Sequence, residues 1–331
     1  VWRTAVAVGA NCGLNCKGIT GFVPSRDLIV AEEVDNPLAK AGALNVYKSP
    51  EFSVISDMLY SPGALGTLIA LLFGKAGTPT VVDTSAYKHT FQWDDSNDGL
   101  FATVAVEFPG KIYECPSAKP IEWILKSESG GLVQSELKLK GNKIIDDSTV
   151  NGATQLDALT YDERKNYVKF EVQSVKMNDE TGGDVAGTTA LEVTSVELSY
   201  KRQGYDTVNV SGKDDAEEPR EGGYPDIRVK LKFPHMNSSN AAYLAKAISE
   251  TTQKMLIKYT STVLAGATTE KYSMSLFFPR LRMLCPEASW EEIVSMGIEL
   301  VAEEAESNPT GMDHKRPYMV LVNKRSTDYL G

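Results

Sequence analysis

Four cysteines and three histidines are the residues of this 331-residue chain whose types suit metal binding or nucleophilic attack. Cys12 and Cys16 form a C-x3-C pair, but no second pair and no histidine stands nearby to complete a tetrahedral zinc set. Cys115 and Cys285 each precede a proline in an apolar stretch, and read as buried, reduced thiols rather than as parts of a disulfide framework. His89, His235 and His314 are far apart and share no motif. Gly9, Gly13, Gly18 and Gly21 superficially suggest a phosphate-cradling loop, yet no strand-loop-helix unit surrounds them. The nucleophile elbow, the P-loop and the paired-histidine zinc motif are all missing. Carboxylate pairs abound, but in polar turns where solvation explains them. No catalysis, cofactor or metal is therefore expected, although catalytic residues can also be assembled from distant positions.

What must position any such residues is a scaffold that the chain contains twice. Residues 102–122 read ATVAVEFPGKIYECPSAKPIE and residues 272–292 read YSMSLFFPRLRMLCPEASWEE, an ungapped match at an offset of 170 residues. Phe108/Phe278, Pro109/Pro279, Cys115/Cys285, Pro116/Pro286, Ala118/Ala288 and Glu122/Glu292 are identical. Roughly one identity would arise by chance in such a window, so a tandem duplication is the reading, and it decides the fold before any local feature does. The length agrees with two domains. The charge balance, 34 basic against 44 acidic residues, gives −10. Such a surface does not grip phosphates non-specifically, which disfavours a duplex-coating protein but suits nucleic acid that must pass without sticking. The longest apolar run, residues 68–73, is far too short to span a bilayer, and the Val-Trp-Arg start followed by scattered glycines lacks the pattern of a secretory signal.

In chain order, residues 1–45 read as an arm or irregular lead-in with at most one short strand at 27–30. Residues 51–60 predict a strand. A helix follows, with Ser61 as N-cap, Pro62 in the first turn, Gly74 just past the end, and one apolar face of Leu65, Leu68, Ile69 and Leu72. The second half repeats this order. Ile227, Val229, Leu231 and Phe233 alternate with charged residues, then Asn237 or Ser238 caps a helix whose inner face is Leu244, Ala247, Ile248 and Thr251. Strands are expected at 89–93 and 101–108 around a polar turn, and at 272–278. Residues 120–139 and 290–305 are both read as extended. Between the halves, residues 167–177 and 190–202 predict a long hairpin with a bend at Thr194-Ser195, a mobile tip at 178–189 and then a solvated acidic loop. A final strand is expected at 318–323.

A strand, a helix beginning S-P-G-A-L-G-T-L-I-A-L-L-F-G, then strands carrying F-P and C-P, all present twice in a mainly β chain, resembles the major tail tube proteins of long-tailed bacteriophages. The similarity covers the chain from about residue 51 to the end. It implies a mainly β fold of two tandem β-sandwich or half-barrel tube domains, at 46–155 and 156–331 after the lead-in, each flanked by a short α-helix and joining into a ring-wide β-barrel. It implies a structural, non-enzymatic subunit of the virion tail that assembles in the host cytoplasm. Trimeric, pseudo-hexameric rings would stack into a channel for genome ejection. The implied partners are further copies of the chain, the tape measure, tail terminator and tail tip proteins, and double-stranded DNA passing through the lumen without specific binding; no membrane is involved. Under this reading Lys169, Glu171, Gln173, Glu197 and Lys201 face the lumen or a neighbour, and a net-acidic lumen would suit DNA transit. Asp179, Glu180, Asp184, Asp214, Asp215, Glu217 and Glu218 lie on inter-ring loops, and the two helices pack outside the sheets. A tube of a contractile device is less favoured, because such tubes resemble the single-domain pattern. The alternative of another class is a two-domain β-sandwich binding module for carbohydrate or a protein partner, which would be monomeric and expose aromatic side chains in a concave site. Trp93, Trp123 and Trp290 sit among apolar neighbours and read instead as core.

Overall fold

Period-two alternation makes this a mainly β molecule built on antiparallel sheet, with one largely apolar helix buried against it. The computed structural model describes residues 1–24, 26–30, 43–146, 148–161, 166–204, 215–235, 238–284, 287–289 and 295–330, some of them by backbone alone. Cys285, Pro286, Trp290 and Asp214 lie outside the described residues, and so does the side chain of Leu244.

The lead-in is more regular than its glycines suggest. Gly18–Thr20 (β1) joins the main sheet, whereas Arg26–Val30 (β2) and Ala43–Tyr47 (β3), rich in β-branched and other apolar residues, pair with each other. Glu51–Asp57 (β4) turns Phe52 and Val54 inward. It leads to helix α1, Gly63–Phe73, which starts one residue later than expected: Pro62 rather than Ser61 is the N-cap, and no side chain caps the first turn. Gly74 ends the helix with φ 89°, its N–H donating to the Ala70 carbonyl, the left-handed stop that glycine adopts without steric penalty. The expectation of a single apolar face on a helix outside the sheets is corrected. Leu65, Gly66, Leu68, Ile69, Ala70, Leu71, Leu72 and Phe73 are all buried, and only Gly63, Ala64 and Thr67 are half-buried.

Next come the strands Gly74–Ala76 (β5), Thr80–Asp83 (β6), Ala86–Trp93 (β7), Ala102–Phe108 (β8), Lys111–Glu128 (β9), Gln134–Gly141 (β10) and Ile145–Asp146 (β11), with a short helix α2 at Ala153–Asp157. The second half contributes Gln173–Asp179 (β12), Ser195–Lys201 (β13), Asp226–Phe233 (β14), helix α3 at Ser238–Ile248, Gln253–Leu264 (β15), Lys271–Met283 (β16), Glu287–Ser289 (β17), Ser295–Glu303 (β18) and Tyr318–Asn323 (β19). One pairing path occurs twice. In the first half β8 pairs β9, β9 pairs β10, and β10 pairs β4, the strand before α1. In the second half β15 pairs β16, β16 pairs β18, and β18 pairs β14, the strand before α3. The ungapped sequence match does not follow this path. Pro109 lies in the turn between β8 and β9, whereas Pro279 is inside β16, whose hairpin with β15 turns at residues 265–270.

The predicted hairpin of residues 167–202 is also corrected. β12 pairs with β15, while β13 lies between β9 and β14, and a single bridge, Val175 to Leu191, links the two arms. A 3-10 turn at Phe170–Val172 breaks the first arm, and the bend expected at Thr194 is present, just ahead of β13. The tip folds back: Val185 is fully buried and packs with Leu256, Met312, Tyr318 and Val320. By inserting between β9 and β14, β13 fuses the two paths into one broad sheet, in the order β1, β4, β10, β9, β13, β14, β18. β19 adds a second junction by pairing with β7 and β16. One apolar core runs through both halves, and Phe73 at the end of α1 lies in its aromatic centre with Trp93, Trp123 and Tyr200. Burying one such large side chain contributes roughly 1.5–3 kcal/mol.

Candidate assembly surface

The broad sheet has one face in the core and one in water. Across β4, β10, β9, β13 and β14 the inward rows, such as Leu137, Leu125, Leu198 and Val229, are buried, and the residues between them point out. On the outer face Glu197 stands opposite Lys126 on β9 and Lys230 on β14, and Lys201 stands opposite Glu122 and Asp226. Ion pairs continue the pattern: Lys138 to Glu122 at 2.9 Å, Lys140 to Glu51 at 3.2 Å, Arg228 to Asp226 at 2.8 Å and to Glu299 at 3.0 Å. Arg228, held by both carboxylates, is pushed above the usual arginine range. Exposed pairs of this kind each contribute little stability; their effect is a surface of interleaved sign. The face carries charges of both signs.

Of the five residues assigned to a lumen or neighbour face, Glu197 and Lys201 share this surface. Lys169 and Glu171 are exposed on the bridging segment before β12, and Gln173, at the start of β12, accepts a hydrogen bond from Ser127 Oγ at 2.6 Å. The structure therefore does not bring the five together.

The acidic loop residues are anchored within their own chain. Asp179 accepts from Lys246 Nζ at 2.8 Å and Gln253 Nε2 at 2.7 Å, contacts that hold its carboxyl below the usual range. Glu180 accepts from Thr252 Oγ1, and Asp184 from the Ala186 N–H. The fully buried Lys254 donates to the Gly182 and Thr310 carbonyls. Asp215 and Glu217 pair with Arg3, both at 2.9 Å, and Glu218 pairs with Lys119 at 2.8 Å. The tip and the acidic loop, expected to be mobile and solvated, are thus tied to the body of the chain: Lys246 holds Asp179, Arg3 holds Asp215 and Glu217, and the buried Lys119 holds Glu218.

Arg202 is the residue most easily missed. Its guanidinium donates to the carbonyls of Leu72, Phe73 and Asp94, pairs with Glu221 at 2.6 Å, and lies 4.2 Å from the centre of the Trp93 ring. It therefore closes the C-terminal end of α1, where unsatisfied carbonyls attract a cation. The signal was in the alternation: Val196, Leu198 and Tyr200 point inward, and Arg202 is the next in phase.

A cleft of about 900 Å³ opens elsewhere, lined by Cys12, Cys16, Thr67, Val104, Thr160 and Tyr329 among others. Both thiols there are exposed, while Cys115 is buried and its thiol pushed up to about 12. His89 donates from Nε2–H to the Arg325 carbonyl at 2.8 Å, since a carbonyl oxygen can only accept, and burial lowers its pKa. Among the described residues no group of three or more His, Cys, Asp or Glu side chains is arranged to hold a metal ion, and no helix is long and apolar enough to cross a membrane. No protein-family model matches the chain, and a search of curated proteins finds no match.

Proposed function

We propose that the chain is a structural, self-assembling subunit of the tail tube type, forming trimeric rings that stack around a channel. The observation that carries this reading is the pairing path that occurs twice and is fused by β13 into one open sheet. A subunit with two like units side by side gives a pseudo-sixfold ring from three copies. Pairing between copies would cover the β1 and β4 end of the sheet, which ends on a three-residue strand. The outer face suits a channel wall: its charges are paired within and across strands and, among the described residues, form no continuous basic track to hold DNA. Tape measure, terminator and tip proteins would then bind the ends of the stack.

Sedimentation velocity from micromolar to millimolar concentration tests this reading. Trimers and multiples of trimers are expected, and a single monomeric species throughout would contradict it. The cleft of about 900 Å³ favours the second reading, a binding module. Against an aromatic carbohydrate platform, Trp123 is fully buried and Trp93 nearly so.

A further inference from the structure

We propose that residues 215–221 form an exchangeable strap, a carboxylate-bearing segment that seats either in a basic cradle of its own chain or in the same cradle of a second copy. The inference rests on the self-assembly reading and names a contact that would join the copies.

The cradle is built from three separate parts of the chain. Lys119 on β9 has a side chain with no exposed surface, and its Nζ donates to Glu218 Oε1 at 2.8 Å, Asp98 Oδ1 at 3.3 Å and the Pro219 carbonyl at 3.1 Å. The Gly99 N–H adds a donor to the same Glu218 oxygen at 2.7 Å. Arg3, ahead of β1, pairs with Asp215 and Glu217, and the Trp2 indole N–H donates to the Ala216 carbonyl at 2.9 Å. Arg202, just past β13, holds Glu221. The buried Lys119 and Arg202 demand carboxylates, because a buried charge left unpaired is strongly destabilising, and the half-buried Arg3 adds two more pairs. The cradle is therefore a specific receptor for a short acidic segment.

The segment that fills it is held mainly by charge. Ala216 and Pro219 are its only buried uncharged residues. Among the described residues its main-chain N–H ties to the body include Ala216 N–H to the Asn142 carbonyl, long at 3.4 Å, and Gly222 N–H to the Gln203 carbonyl at 3.2 Å, beside the bridge positions Ala216 and Arg220. It returns to β14 through Gly222 and Gly223, and Gly222 packs against Gly204, whose φ of 75° favours glycine. A surface segment with ionic anchors, little apolar burial and a glycine base opens at lower cost than the sheet beneath it. Charge complementarity then lets a second copy's strap take the same seat, and exchange of an identical element joins protomers without new chemistry.

Two variants separate the halves of the contact and leave Arg202 and Glu221 intact. One carries Arg3→Met and Lys119→Met, which removes cradle charge and frees its strap. The other carries Asp215→Asn, Glu217→Gln and Glu218→Gln, which neutralises its strap and leaves its cradle available. Labelled with a donor and an acceptor fluorophore and mixed, they should show energy transfer well above that of either variant mixed with itself. Transfer no greater than in the self-mixtures, with near-ultraviolet circular dichroism showing both variants folded, would overturn the proposal. If the triple variant fails to fold, Glu218→Gln alone takes its place with the same two outcomes. Rings of wild-type protein without this transfer would remove the exchange and leave the tube reading; transfer without rings would do the reverse.

Discussion

Helices α1 and α3 follow corresponding strands of the repeated path, yet α1 is buried over most of its length, from Leu68 to Phe73 without a break, while α3 carries Ile248 at 76 % exposure. α1 ends in a left-handed glycine and a buried arginine. α3 touches the sheet through Tyr243, whose ring stacks on Phe233 at 6.2 Å, and through Lys246 on Asp179. A repeated order of strands thus does not carry a repeated core. The described side chains of α3 are half-buried or exposed, whereas packing of α1 concentrates stability around its own C-terminal turn.

Substitutions can break this contrast. Arg202→Met should have the largest effect, about 3–5 kcal/mol in urea unfolding, because it leaves Glu221 and three carbonyls without their partner. Leu72→Ala should follow at about 2–5 kcal/mol, since Leu72 is fully buried and its removal leaves a cavity. Gly74→Ala should cost about 1–2 kcal/mol through its φ of 89°; an added Cβ there would also meet the Ser96 carbonyl at 2.9 Å. By contrast, Ile248→Ala on α3 should change stability by no more than about 0.5 kcal/mol. An Ile248→Ala loss as large as that of Leu72→Ala would mean that α3 is core after all.

The smallest effect is a dependence on pH at the junction of the two halves. Asp83, at the end of β6, accepts hydrogen bonds from Thr268 N and Oγ1 and from Thr269 N in the β15–β16 turn. These bonds, led by the Thr268 N–H, hold its carboxyl well below the usual range. A depressed carboxyl stabilises the fold above its unfolded value, and that contribution is lost as pH falls below about 3.9 towards the folded value. Asp83→Asn should therefore lower Tm slightly at neutral pH, and the gap should narrow in acid. A gap that stays constant down to strongly acidic pH would show that the carboxylate charge is not what holds the turn.

Much of the sheet was legible because alternation is local. Ile227, Val229, Leu231 and Phe233 announce β14, and Val133, Leu137 and Leu139 the buried row at β10. Partner choice is not local, which is why residues 167–202 read as one hairpin although β12 and β13 pair elsewhere. The apolar character of α1 is also visible in L-I-A-L-L-F, where Ala70, Leu71 and Phe73 extend the apolar surface beyond the one face of Leu65, Leu68, Ile69 and Leu72. The acidic strap looked solvated because its cations stand at positions 3, 119 and 202, and nothing near residues 215–221 reveals them.

Negative-stain electron microscopy of the purified protein tests the central claim most directly. The account predicts rings or hollow tubes with threefold or pseudo-sixfold symmetry and an open channel. Isolated particles of monomer size at every concentration would contradict it.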